Sequence, residues 1–330
     1  MRSFAYAQAT TIDETITLLD HADDGHTRPL AGGTDLLTLM KADIATPAQL
    51  VDIKRLSELP QGITETANGV TLGALTTLTE IEQNDLLRRK YGVLPEAAEL
   101  AATPQLRNMA TIGGNLLQRP RCWYFRNHRF HCWLKGGDDC PAYDGENQYH
   151  ALFGDGPCYA VHPSDLASAL LALQATVRLR GPQGERSLPL DEFFALPEGD
   201  RRRETTIAED ELLLALEIPA LPADARSTYF KAMDRKVWAF ALVGVAAVVQ
   251  MDQGKIADAR LVLTGVAPIP WRATAAEQTL IGAEANPALF AQVADLALQE
   301  AAPLRHNQYK VPLAKRLVQR ALTTLTTGTG

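Results

Sequence analysis

Thr111-Ile112-Gly113-Gly114-Asn115 opens the stretch whose reading decides the fold, and His162-Pro163-Ser164-Asp165 closes it. Between them lie all four cysteines, Cys122, Cys132, Cys140 and Cys158. A glycine turn compatible with phosphate gives way to a long cysteine-bearing excursion, and the chain then returns to an apolar run, Leu166 to Leu173. That pattern is an insertion held by something other than a core of its own.

The cysteines have nine, seven and seventeen residues between successive members, with no CxxC pair. Two disulfides would suit an exported chain, but a chain with an ample core has little need of them. Clustering therefore favours a metal centre. Soft thiolates suit zinc and iron-sulfur clusters alike, and the spacing leaves both open. Trp123, Tyr124, Phe125, Trp133 and Tyr159 can restrict water there. His128 and His131 are candidate zinc ligands, but they read better as surface or hydrogen-bonding residues, because a four-cysteine site needs no histidine.

Working outward, a second glycine turn, Ala31-Gly32-Gly33-Thr34-Asp35, stands between the strand-like His26 to Leu30 and the helical pattern Leu36 to Lys41. Backbone amides at such a turn lie open to an anion, and glycine lets a diphosphate approach closely. Neither turn is a GxGxxG. Asp52 could pass for the acidic residue of a Rossmann unit, but the missing third glycine weighs against that fold. Two turns gripping one diphosphate from two lobes is the better physical account. Asn115 either binds phosphate or holds its turn. Asp165 either meets a sugar hydroxyl or, like Ser164, caps the helix from Leu166.

The remaining chain reads in order. Phe4 to Tyr6 is a strand, and Thr11 caps a helix with Glu14 returning the bond. Leu50 to Ile53 is a strand, and a new domain starts near Pro60. Asn68-Gly69 signals a type I′ hairpin between Gly62 and Ala74. Helices follow at Leu78 to Leu87 and Leu94 to Ala102, and Pro104 to Asn108 breaks the pattern. Thr176 to Leu179 and Arg186 to Leu190 make a second hairpin, Arg201-Arg202-Arg203 a solvated loop, and Glu211 to Ile218 a strand before the linker at Pro219 and Pro222. A third domain holds strands at Thr228 to Met233, Ala239 to Met251 and Ala259 to Val266, then helices at Ala273 to Ile281 and Leu289 to Ala302. A last helix puts Ala314, Leu317, Val318, Ala321, Leu322 and Leu325 on one face, with Lys315, Arg316 and Arg320 toward solvent, before a fraying tail from Thr326 to Gly330.

The chain has 330 residues, a mass of 35.9 kDa, a net charge of -7 and a pI near 5.6, which give no footprint of a nucleic-acid-binding surface. The longest apolar stretch, Phe240 to Val249, is short of the roughly 20 residues of a membrane span and reads as a buried strand. The first residues lack an apolar core followed by a cleavage-like site, so the expected compartment is the cytoplasm. Export alongside a signal-bearing partner would instead place the protein in the periplasm.

The order Ala31-Gly32-Gly33-Thr34-Asp35, then Ala110-Thr111-Ile112-Gly113-Gly114-Asn115-Leu116, then Ser164-Asp165 resembles the FAD-binding subunit of molybdenum hydroxylases of the xanthine dehydrogenase family. The cysteine-bearing insertion is similar in particular to that of the medium subunit of three-subunit aldehyde oxidoreductases, which holds a [4Fe-4S] cluster. This resemblance implies an α+β chain: a two-lobed FAD-binding fold of the vanillyl-alcohol-oxidase-like type, plus a C-terminal α/β domain with an antiparallel sheet and helices. Its domains would be an N-terminal FAD-binding lobe at 1-59, a second lobe at 60-224 with the insertion at about 119-162, and a C-terminal flavoprotein domain at 225-330.

By position, the resemblance implies that Ala31, Gly32, Gly33, Thr34, Asp35 and Leu36, with Ala110, Thr111, Gly113, Gly114, Asn115 and Leu117, cradle the FAD diphosphate. Asp165 would lie near the flavin's sugar-like chain, Leu213 or Leu214 and Lys231 near the isoalloxazine ring, and Cys122, Cys132, Cys140 and Cys158 would hold the cluster. Lys231 has a salt bridge as its alternative role. An aromatic residue that many relatives offer near Ala101-Ala102 is absent here. His162 reads as a packed loop histidine, and no catalytic residue is expected in this chain. The implied partners are a large molybdenum-cofactor subunit that oxidises an aldehyde, a small [2Fe-2S] subunit, and an external electron acceptor. Two rival readings are a flavin subunit similar to that of hydroxybenzoyl-CoA reductase and a zinc-stabilised scaffold or assembly protein.

Overall fold

The computed structural model describes residues 1–20, 26–236 and 238–327. The end of the expected tail, residues 328–330, lies outside them.

The first lobe contains β1 (Ala5–Gln8), α1 (Ile12–Asp20), β2 (Thr27–Leu30), α2 (Leu36–Lys41) and β3 (Gln49–Asp52). Its strands form a parallel sheet in the order β1-β3-β2. Thr11 does cap α1, its Oγ1 accepting from the Glu14 amide at 3.1 Å. The return bond misses Thr11 and lands on Thr10, whose amide and hydroxyl both donate to the Glu14 carboxylate. Two donors there outbid the one that a capping box offers.

The second lobe runs through β4 (Ile63–Thr66), β5 (Gly69–Gly73), α3 (Leu78–Gln83), α4 (Asp85–Lys90), α5 (Val93–Glu99), α6 (Pro104–Arg107), α7 (Ile112–Leu116), the insertion, α8 (Asp165–Ala172), β6 (Thr176–Gly181), β7 (Gly184–Pro189), α9 (Leu190–Phe193) and β8 (Leu212–Pro219). Its antiparallel sheet has the order β4-β5-β8-β6-β7. Three local expectations are corrected. The helix expected over Leu78 to Leu87 is two helices, because the Asn84 side chain accepts from the Leu87 amide at 3.0 Å and caps a new start. Pro104 opens α6 instead of breaking the pattern, since proline fits a first helical turn behind the Thr103 cap. The first hairpin is not type I′. Thr66 pairs with Gly69 around Ala67-Asn68, and neither loop residue has the positive φ that such a turn requires. Gly69 itself has φ +148, and a Cβ there would meet the Ile218 carbonyl oxygen at 1.9 Å, so this glycine serves the close approach of β5 to β8.

The third unit comprises β9 (Ala225–Ala232), β10 (Val243–Asp252), β11 (Lys255–Thr264), β12 (Trp271–Arg272), α10 (Thr274–Leu280), α11 (Pro287–Ala297) and α12 (Lys310–Thr327). Its sheet is antiparallel, in the order β12-β11-β10-β9. Side chains alternate across a strand, and both faces of β10 are covered. Val243, Val245, Ala247 and Val249 join the core with α11 and α12, while Ala246 and Val248 join the core of the second lobe. This explains the continuous apolar run. The strand begins at Val243, where pairing with Ala232 starts; Phe240, expected inside it, is 43% exposed beneath the Arg121 guanidinium.

Hydrophobic cores cross the lobe boundaries. Leu212 and Leu214 of β8 pack into the first lobe's core with Ile16, Val51 and Ile53, and Leu152 and Phe153 of the insertion pack into that of the third unit. On α12 the expected apolar face is buried and Arg316 and Arg320 are exposed as expected, while Lys315 is half-buried and pairs with Asp295 at 2.8 Å, and the Arg320 guanidinium lies 4.4 Å from the Phe230 ring centroid. Among the described residues, no helix is long and apolar enough to cross a membrane.

Lys310 joins the insertion to the third unit. Its ammonium donates to the carbonyls of Tyr149 at 3.0 Å, His150 at 3.0 Å and Gly265 at 2.8 Å. Burial pushes this lysine down to about 7. The unfolded chain keeps its lysine proton up to the ordinary range near 10.4. Between about pH 7 and 10 the unfolded state therefore binds the extra proton, and this group's contribution to stability rises with pH. Thermal unfolding of wild type and Lys310→Met should show a Tm gap that widens in favour of wild type from pH 7 to 9. A gap that narrows over that range would contradict the assignment.

Candidate cofactor site

A cavity of about 1090 Å³ opens between the two glycine turns. Ala31, Gly32, Gly33, Thr34, Asp35, Leu36, Thr111, Gly113, Gly114, Leu117 and Leu213 line it, and Ala110, Asn115, Asp165, Leu214 and Lys231 do not. The two leucines pack into different cores, Leu213 into that of the second lobe and Leu214 into that of the first, and Leu212, in the same core as Leu214, also lines the cavity.

Backbone packed on backbone brings the turns together. A Cβ on Gly32 would sit 1.7 Å from the Met109 carbonyl oxygen, so only glycine permits the contact. The turns differ in what they leave free. The amides of Gly32 to Asp35 find no backbone acceptor among the described residues. In the second turn Gly113 donates to Ala74 O at 3.0 Å, Gly114 to Thr111 Oγ1 at 3.2 Å and Asn115 to Thr111 O at 2.8 Å. Open donors for an anion therefore belong to the first turn, and the second supplies a wall. Asn115 holds structure: its Oδ1 accepts from the hydroxyl of Ser164, which also caps α8 by accepting from the Ala167 amide at 2.9 Å.

A carboxylate beside an anion site must be neutralised. Asp35 accepts from the Arg119 amide at 2.9 Å and Arg126 Nη2 at 2.7 Å, and also pairs with Arg121. Burial pushes its carboxyl up, but the Arg121 and Arg126 guanidiniums outweigh that and hold it below the usual range. Arg119, Arg121 and Arg126 belong to the start of the insertion, so the insertion is fastened to the first turn.

The expectation of a solvated loop at Arg201-Arg202-Arg203 fails for a related reason. The Arg202 guanidinium lies 4.6 Å from the Trp133 ring centroid and donates to Gly137 O at 3.0 Å, Arg203 donates to Ile207 O at 3.0 Å, and Arg201 Nη2 donates to Leu196 O at 3.0 Å. These carbonyls and the ring face, with the Glu198 and Glu209 carboxylates, take the place of part of the water and leave the three side chains half-buried. All three arginines lie along the cavity. His162 also lines it, with Nδ1 accepting from the Ser164 amide at 3.3 Å and the ring edge-on to Phe194. Burial pushes this histidine down to about 4, so it is neutral and packed.

Behind the cavity, Asp165 and Lys231 form an ion pair at 2.7 Å with both side chains buried. Tyr229 donates to the other Asp165 oxygen at 2.6 Å, and Lys231 also donates to Leu100 O at 2.9 Å. Burial and the Asp165 charge push the Tyr229 phenol well above its usual value. Of the two roles foreseen for Lys231, the salt bridge is formed. Tyr229 carried no signal in the sequence beyond its place in a strand.

None of the four cysteines forms a disulfide. Cys132 and Cys158 are buried in one apolar cluster with Phe125, Trp133 and Leu39, and Cys122 packs against it. Burial pushes the Cys122 thiol up to about 12 and raises those of Cys132 and Cys158, and the charge of Cys140 adds to the rise in all three. No group of three or more His, Cys, Asp or Glu side chains among the described residues is arranged to hold a single metal ion.

A two-lobed α+β frame with its cavity at facing glycine turns defines a flavoprotein class, and comparison bears this out. Residues 2–221 match the family described as "FAD binding domain in molybdopterin dehydrogenase", and residues 228–325 match "CO dehydrogenase flavoprotein C-terminal domain". The chain belongs to this family, that of the FAD-binding subunits of xanthine and CO dehydrogenases. Among individual proteins, it is 37% identical over 326 residues to the aldehyde oxidoreductase FAD-binding subunit PaoB of Escherichia coli K12, covering 98% of each chain. It is 29% identical to the glyceraldehyde dehydrogenase medium chain of Sulfolobus acidocaldarius, covering 96% of each. A chain of the solved carbon monoxide dehydrogenase of Hydrogenophaga pseudoflava superposes with a TM-score of 0.78 at 29% identity, covering 98% of this chain and 96% of that one. The fold expected from the sequence, the two-lobed FAD-binding type with a C-terminal α/β domain, is the fold found.

Proposed function

We propose that this chain is the FAD- and [4Fe-4S]-carrying electron-transfer subunit of a molybdenum-dependent aldehyde oxidoreductase. In that enzyme it works beside a large molybdenum-cofactor subunit and a small [2Fe-2S] subunit and delivers electrons to an external acceptor. The observation that carries the reading is the cavity with open amides at Gly32 to Asp35, in a chain similar along nearly its whole length to an aldehyde oxidoreductase FAD-binding subunit.

Bound FAD would supply storage of two electrons and their onward transfer. The first turn would hold its diphosphate, with Asp35 kept from repelling it by the Arg121 and Arg126 guanidiniums. The wall of Thr111, Gly113, Gly114 and Leu117 would close the cradle, Leu213 would offer an apolar contact, and the buried Asp165–Lys231 pair would act from behind the cavity wall, through the segments it ties together. Ala110 and Asn115 would act from behind, shaping the turn.

Four soft donors gathered at one apolar pocket suit a [4Fe-4S] cluster: Cys132 and Cys158 are buried with Phe125 and Trp133, Cys122 packs against them, and the charge of Cys140 reaches all three. Burial that disfavours bare thiolates is offset when each binds a cation.

Adding an aldehyde to the anaerobically assembled three-subunit complex should bleach the flavin absorbance, and adding it to this chain alone should not. Bleaching of the isolated chain, or none in a complex with a loaded molybdenum site, contradicts the reading.

A further inference from the structure

His150 is the one insertion histidine buried against a cysteine among the described residues. It is 2% exposed, and its Nε2 lies 3.2 Å from Cys122 Sγ. The ring is clamped edge-on by Trp123, with centroids 5.5 Å apart, and its backbone is fixed from the third unit. The His150 carbonyl accepts from Lys310 Nζ at 3.0 Å and Asn307 Nδ2 at 3.1 Å. Its other ring nitrogen, Nδ1, is buried and has no hydrogen-bond partner.

These facts settle which nitrogen faces the sulfur with a proton once Cys122 binds metal. A ligated thiolate has no hydrogen and only accepts, and a neutral imidazole carries one N–H. An N–H on Nδ1 would leave the Nε2 lone pair pointed at an anionic sulfur 3.2 Å away. With the N–H on Nε2, only an acceptor is left unpaired, the cheaper omission.

We propose that His150 donates its Nε2–H to the Cys122 thiolate and thereby raises the reduction potential of the cluster ligated there. This rests on reading Cys122 as a cluster ligand. A hydrogen bond to a ligand sulfur withdraws electron density from it, so the added electron is better accommodated. His150 is a positioning and tuning residue, and the clamp from Lys310, Asn307 and Trp123 keeps its donor aimed.

The test uses the full chain, anaerobically purified as wild type, His150→Leu and His150→Gln, with iron and sulfide counted before an EPR-monitored redox titration. Full iron loading in all three is expected. At a fixed solution potential, the reduced-to-oxidised ratio should fall about tenfold or more in His150→Leu, a downward shift of ~59 mV for a one-electron couple. Glutamine, which keeps an N–H donor, should recover much of it. Loaded variants with an unmoved potential overturn the proposal, and so does iron loss in His150→Leu that glutamine does not restore, which would make the ring a ligand or a structural wedge. If neither variant folds, deuterium ENDOR on the wild-type reduced cluster decides: an exchangeable proton strongly coupled to the cluster is required, and its absence overturns the proposal. A folded wild type holding zinc or no metal fails at the earlier step, the cluster reading itself.

Discussion

Gly32→Ala should purify folded and nearly free of flavin, with FAD per chain at least tenfold below wild type. The new Cβ would fall 1.7 Å from the Met109 carbonyl oxygen and 2.7 Å from its carbon, both backbone atoms that no rotamer change can move aside. The first turn must then shift away from the second, and the open amides of Gly32 to Asp35 leave the positions that face the cavity. Anion binding by backbone donors depends on several N–H groups converging, so a small displacement weakens them together. Gly92→Ala is the matched control, since its Cβ would meet nothing nearer than 3.7 Å. Absorbance at the flavin bands, against released FAD after denaturation, reads the outcome. Full flavin in a folded Gly32→Ala protein would remove this turn from the diphosphate cradle.

Lys231→Met should cost about 3–5 kcal/mol of unfolding free energy, the usual consequence of removing one partner of a buried ion pair. Asp165 would be left in the interior with the Tyr229 hydroxyl as its remaining close donor, and the Leu100 carbonyl would lose its own. The double variant Lys231→Met with Asp165→Asn removes the stranded charge and should recover a large part of that loss, because residues sharing one network do not add. Denaturant midpoints of the wild type, both single variants and the double variant give the coupling. A loss below about 1 kcal/mol in Lys231→Met would mean that the pair is hydrated, contrary to its burial.

What could be read from the sequence was whatever is local. Gly32-Gly33 and Gly113-Gly114 each announce a turn between a strand or loop and a helix, and the packed faces of α8 and α12 follow from their periodicity. The candidate cradle was therefore visible as two pieces. What the pieces do to each other was not. The spent amides of one turn depend in part on Ala74, which the folded second lobe brings against Gly113, and the seat of the other depends on Met109 across the lobe boundary. Arg121 and Arg126 carry no pattern that points to Asp35, because the partners are far apart in the chain. The run Arg201-Arg202-Arg203 looked solvated because like charges in sequence normally seek water, yet Trp133 and the carbonyls of the insertion and neighbouring loops receive it. Lys310 carries no signal in the sequence, because its three carbonyl partners come from two distant segments.

The most direct test of the whole account is the visible spectrum of the anaerobically purified chain, with FAD, iron, sulfide and zinc quantified on the same sample. The account predicts near-stoichiometric FAD together with iron and sulfide in the proportions of one [4Fe-4S] cluster, both lost from the spectrum only when the protein is unfolded. A folded, colourless protein, or one that holds zinc and no flavin, would contradict it.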